Sequence, residues 1–202
     1  MKNVYNLSFL FKGNRKYVQG PDIFDAVIEI ICNNFDKTKI TSVKYAAHNM
    51  LHQNADLVIT DEFDPKEYSF FNSIITFNHS NRKYYAIVIQ NNKLIDSAVE
   101  YSEDIVRNLS EISDDMIVFK NELNDSLTEI IVSMNKYYLQ QNVIEDGKWI
   151  VTKFDYINLI STEDIKNNVI SLQLKNNFNN LLTKSLVRVD GEIVGNLYFS
   201  LV

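Results

Sequence analysis

The sequence predicts an α+β protein built from two similar halves, each a buried helix wrapped by antiparallel strands. Three observations lead there. An internal repeat runs through the chain at offsets near 100 to 109 residues. Each half orders its apolar segments as a strand, a helix and then four strands. The helix of the first half is apolar around most of its circumference, which marks a helix covered on several sides.

The repeat is read from matched pieces. Asp25, Glu29 and Ile30-Ile31 match Asp125, Glu129 and Ile130-Ile131 without a gap, within 24–32 and 124–132. Phe9-Leu-Phe-Lys12 resembles Ile117-Val-Phe-Lys120, and 42–49 resembles 151–158. The pieces keep their order, so duplication explains them.

The first strand spans Tyr5 to Lys12. The first helix spans Pro21 to Phe35, with Pro21 at its start, where a missing N–H costs nothing. Ile23, Val27, Ile30 and Ile31, with Phe24, Ile28 and Phe35, make it apolar. Strands follow at 40–47, 55–60, 70–78 and 83–90. The apolar spacing of Ile95, Ala98, Val99, Ile105, Leu109 and Ile112 predicts an amphipathic helix over 94–112 that bridges the halves. The second half begins with a strand at 116–120 and a helix at 124–141. Its later strands lie at 149–159, 168–174, 181–189 and 192–202. Asp190-Gly191 between the last two is a two-residue hairpin signal. The predicted units are 1–92, a linker helix over 93–113, and 114–202. They are expected to superimpose with one strand order, and Ile30 and Ile130 are expected to be buried in their helices.

Composition narrows the function. The chain has 202 residues, 46% of them apolar, so it can bury a sizeable core. Its net charge is −6, and no basic cluster marks a nucleic-acid face. Gly (5) and Pro (2) are scarce, so loops draw on the 25 Asn and on Asp and Ser. No run reaches the length of a membrane span. Met1 to Phe11 alternates polar with apolar residues and does not read as a signal peptide. The single Cys32 excludes an internal disulfide and points to a reducing compartment, hence a cytoplasmic location. Cys32 sits among Ile30, Ile31 and Phe35, where burial makes a thiol unreactive. His48 and His52 are four apart and Asp56 or His79 could supply a third ligand, but the stretch follows a strand and lacks the zincin glutamate, so no metal is expected. Nucleophile elbow, phosphate loop and dinucleotide glycine patterns are all missing.

A strand, a buried helix and four wrapping strands resemble the hotdog fold, and their repetition resembles a double hotdog. Gly20-Pro21 resembles the turn into the central helix of such domains. Leu186 to Val202 resembles their last two strands. The resemblance implies an α+β fold of two hotdog repeats, each a central helix wrapped by an antiparallel sheet. It also implies a protein that binds an acyl thioester of coenzyme A or acyl carrier protein, with no further cofactor and with homodimerisation left open. In that family the helix N-terminus faces the thioester carbonyl and a nearby carboxylate or His acts as base or acid. Carried onto this chain, the candidates are Glu29 first and Asp25 second; they lie four apart on one helix face, beyond Asp22. Dehydratases of the family place a His just before the helix turn. Here 17–20 reads Tyr-Val-Gln-Gly, so hydrolysis is favoured over dehydration. The competing reading is a non-catalytic interaction or accessory factor, with Tyr and Phe side chains filling the space beside the first helix.

Overall fold

The computed structural model describes residues 2–121, 126–143, 146–160 and 169–202. The chain divides into two compact units, Met1–Tyr101 and Ser102–Val202.

The first unit contains β1 (Lys2–Leu7), β2 (Phe11–Lys12), α1 (Gly20–Asn34), β3 (Ile40–Ala47), β4 (Ala55–Thr60), β5 (Ser73–His79), β6 (Arg82–Gln90) and β7 (Ala98–Val99). Its main sheet has the order β1-β4-β6-β5-β3, with every neighbouring pair antiparallel. The short β2 and β7 pair in parallel apart from it. Helix α1 buries Ile23, Val27 and Ile31 as a stripe at four-residue spacing, with Phe24 beside it. The stripe is what holds this helix on the sheet: Phe24 meets Tyr45 of β3 edge-on, and Phe35, just past the helix, meets Phe77 of β5 and Tyr84 of β6. Burial pushes the Tyr45 hydroxyl well above its ordinary range.

Strands β4 and β5 both flank β6, so residues 61–72 must cross over it. Successive strand side chains point to opposite faces, so Tyr85 lies on the face away from Tyr84 and α1. There the crossing segment lays Phe63, Tyr68 and Phe71 over Val58 and Ile87, beside Ile74, Tyr85 and Ile89. Buried Asn72 ends the crossing. Its backbone N–H donates to the Val88 carbonyl, its side-chain amide donates to the Met50 carbonyl, and its Oδ1 accepts from the Gln90 N–H.

The second unit contains α2 (Asp104–Asn108), β8 (Ser110–Ser113), β9 (Met116–Lys120), α3 (Leu127–Asn142), β10 (Trp149–Asn158), β11 (Val169–Phe178), β12 (Leu182–Val189) and β13 (Glu192–Leu201). Its sheet has the order β8-β9-β11-β12-β13-β10 and is antiparallel throughout. A three-residue turn, 179–181, joins β11 to β12, and a two-residue turn joins β12 to β13. Asn179-Asn180 and Asp190-Gly191 supply the four positive φ angles these turns need (52°, 58°, 50° and 89°). Helix α3 packs against β9, β10 and β11 and buries Ile130, Ile131, Met134, Tyr138 and Leu139. The carboxylate of Glu103, nearly buried, binds Lys136 of α3 at 2.9 Å and Arg107 of α2 at 3.1 Å, which fixes α2 to α3. Gly195 of β13 lies so close to the Asp155 backbone that a Cβ there would collide with its carbonyl.

The element order agrees with the sequence reading, with most boundaries within a few residues. Three expectations fail. The strand orders differ: counting from the strand before each long helix, the first unit runs 1-3-5-4-2 and the second 1-3-4-5-2. The helix expected over 93–113 is a two-residue strand, a five-residue helix and a four-residue strand. Ser102 there accepts from the Asp104 N–H, and such local side-chain bonds compete with helix. Ile30 is only half-buried, while Ile130 is buried as expected, because the core stripe of α1 runs through Val27 and Ile31.

Candidate functional site

The residues carried over from the family pattern belong to α1. Asp22 lies in its first turn, Asp25 in the second, and Glu29 further along. Asp25 is half-buried and engaged with neighbours, whereas Glu29 is exposed. Of the two carboxylates, Asp25 is the more shielded from solvent. The equivalence read for the second half does not hold in space. The helices end at Asn34 and Asn142 and the next strands begin at Ile40 and Trp149, offsets of 108 and 109. Glu129 therefore sits in the first turn of α3, where its N–H donates to the Ser126 hydroxyl. Asp125 lies outside the described residues.

The N-terminus of α1 is the better-built place. Gln19 at its cap makes no side-chain capping bond, whereas Ser126 caps α3. Its first-turn amides and dipole therefore favour negative charge there. The pairing of β2 with β7 holds the chain beside it, and Gly13, at φ +58°, donates its N–H to the Val99 carbonyl. Lys12 binds Asp22 at 2.7 Å, and both side chains are about four-fifths buried. Lys12 and Arg15 also stand over the Tyr101 ring, at 5.1 and 4.8 Å. Asp22 Oδ2 and Gln19 Nε2 are buried atoms without hydrogen-bond partners among the described residues. Cations, an uncapped helix start and unsatisfied polar atoms thus meet within one unit.

Sequence reasoning missed part of this. His52 is far from α1 in sequence, yet its Nδ1 lies 2.7 Å from the Lys16 carbonyl. A carbonyl only accepts, so the Nδ1–H of His52 donates to it. The structure thus brings a histidine to the segment before α1, where the sequence shows none. His48 instead packs edge-on against Phe71 at 4.5 Å. Residues 48–54 are not helical, so the spacing of His48 and His52 does not put them on a common helix face. Among the described residues no three His, Cys, Asp or Glu gather as a metal site. Cys32 is half-buried, and burial raises its thiol above the ordinary range, against the smaller pull of Lys37.

At the other end of α1, Phe35, Phe77, His79 and Tyr84 fill the space between helix and sheet with ring contacts of 4.9 to 6.4 Å.

No protein-family model and no curated protein matches the sequence. Solved structures do. The dehydratase domain of PpsC from Mycobacterium tuberculosis, solved with C12:1-CoA, is 8% identical with a TM-score of 0.53, covering 100% of this chain and 93% of that one. A monomeric dehydratase domain from a trans AT polyketide synthase split module is 9% identical with a TM-score of 0.55, covering 100% of both chains. A thioesterase II candidate from Thermobifida fusca is 6% identical with a TM-score of 0.53, covering 100% of this chain and 92% of that one. Across identities this low the likeness is one of fold, and the fold it shows is that of hotdog dehydratase and thioesterase domains.

Proposed function

We propose that the chain binds an acyl thioester, of coenzyme A or a carrier protein, with the thioester at the N-terminus of α1. The observation that carries this is the contrast between the two long helices. The start of α1 is uncapped and flanked by Lys12 and Arg15, whereas that of α3 is closed by Ser126. Amides and a positive dipole end aimed at a carbonyl stabilise the charge that grows on it during acyl transfer. Arg15 adds a guanidinium beside the Lys12–Asp22 pair, placed for an anionic carrier group. Asp25 is the proposed base for water and Glu29 the second candidate. His52 supports dehydration beside hydrolysis, because it brings an imidazole to the segment before α1, where the sequence shows none. The chain is further read as two hotdog units, the first with rearranged strands, working without a further cofactor in a reducing, cytoplasmic compartment. No helix among the described residues is long and apolar enough to cross a membrane.

A specific observation favours the second reading, a non-catalytic binding scaffold. Aromatic rings fill the space at the C-terminal end of α1, as expected of a scaffold. One experiment separates the two. Wild type is assayed against a panel of acyl-CoA and acyl-carrier thioesters, and Asp25→Asn, Glu29→Gln and His52→Gln are assayed on any that react. The enzyme reading expects turnover that falls by at least about 100-fold in Asp25→Asn. Binding without turnover across the panel supports the scaffold, and neither binding nor turnover removes the thioester reading.

A further inference from the structure

In the second unit, burial alternates along the strands. Phe154, Tyr156, Thr183, Ser185, Val187, Leu197 and Phe199 turn inward, so their neighbours in sequence form the outer face. The strand register places that face in rows. Lys153 of β10 and Lys184 of β12 both lie directly opposite Tyr198 of β13. Their ammonium groups stand 4.8 and 5.8 Å from the centre of the Tyr198 ring. Lys184 has no carboxylate partner among the described residues, and Lys153 meets Asp155 only at 3.7 Å. Arg188 adds a third cation along β12. In a chain of net charge −6 this is a local excess of positive charge. The neighbouring row is apolar and open: Leu182 lies opposite Phe178, and they are 37% and 53% exposed.

We infer that this face docks an acidic amphipathic helix of a partner protein. Two strand spacings separate the Lys153 and Lys184 backbones, about 9.5 Å. Carboxylates seven residues apart on a helix are separated by about 10.5 Å along its axis, a near match. An adjoining leucine stripe on the same helix would meet Phe178 and Leu182. Lys153 and Lys184 come from the strands on either side of β13, and exposed Phe178 and Leu182 lie in the next row, so a surface carrying both carboxylates and apolar side chains fits this face. The inference does not depend on the thioester site in the first unit.

The test uses the full chain and a labelled helical peptide of about five turns, with glutamates seven residues apart and a leucine stripe beside them. Fluorescence anisotropy is expected to show saturable binding that weakens with salt. Lys153→Glu with Lys184→Glu is expected to weaken it by at least about tenfold. Lys153→Arg with Lys184→Arg is expected to preserve it, and Lys66→Glu, in the other unit, to leave it unchanged. Circular dichroism melts verify that each variant folds. Absence of peptide binding, binding indifferent to the charge reversal, or tighter binding to an oligothymidylate or to phosphatidylglycerol vesicles would overturn the proposal.

Discussion

The two units use nearly the same list of elements but join them differently, and one connection accounts for the difference. In the first unit, 61–72 carries the chain over β6, and its Phe63, Tyr68 and Phe71 cover the outer face of the sheet. In the second unit, the matching connection is the short turn at Asn179-Asn180, and the outer face stays open, with cations around Tyr198 beside the exposed Phe178 and Leu182. A strand order is thus paired with a surface. Where the chain crosses, Val58 and Ile87 can be apolar because rings cover them; where it turns back, Lys153, Lys184 and Tyr198 stand there instead. The helices differ in parallel: α1 begins uncapped beside cations, and α3 begins with a serine cap.

The largest effects test whether both helices are core elements. Ile31→Ala and Ile130→Ala should each cost about 2–5 kcal/mol in denaturant melts, because both side chains are almost fully buried. Ile30→Ala should cost clearly less than Ile130→Ala, since Ile30 is half-buried. Equal losses at 30 and 130 would mean that the repeat, and not the observed burial, describes the helices.

Next in size is the crossover. Tyr68→Ala should destabilise the first unit by roughly 3 kcal/mol, through loss of the ring that covers Val58 and Ile87. Amide exchange of β4 and β6 should speed up while β12 and β13 keep their protection. Uniform loss of protection across both units would break the comparison.

The smallest effect is electrostatic. The Asp36 carboxylate is held at about 2 by bonds from Lys39 and Thr38, below its ordinary 3.8. A depressed folded pKa contributes stability that is present above about 4 and lost as pH falls toward 2. Asp36→Asn should therefore lower the urea midpoint slightly at pH 6 and leave it unchanged near pH 2. A mutational effect that persists at pH 2 would remove the carboxylate as its cause.

Much of the fold was legible in the sequence. The buried stripe of α1, the strand at 40–47 and the Asp190-Gly191 turn follow from periodicity and turn chemistry. Ser80-Asn81 and Asn179-Asn180 also lie in hairpin turns, with positive φ at all four residues, yet they carry no glycine to announce them. Strand order was not legible, because antiparallel strands with identical patterns pair equally well until a connection such as 61–72 is packed. The match of Asp25 and Glu29 to Asp125 and Glu129 misled, since identity at one offset does not set the structural one. At the site, α1 and Asp25 were visible. The approach of His52 to Lys16, and of Lys12 and Arg15 to Tyr101, depends on tertiary contacts without any sequence spacing.

The most direct test of the account is an amide chemical-shift titration with a non-hydrolysable acyl-CoA thioether. Binding at the start of α1 gives saturable shifts at Gly20, Asp22 and Ile23, with little change at Leu127 to Ile130. Shifts centred on the start of α3, or none at either helix, would contradict it.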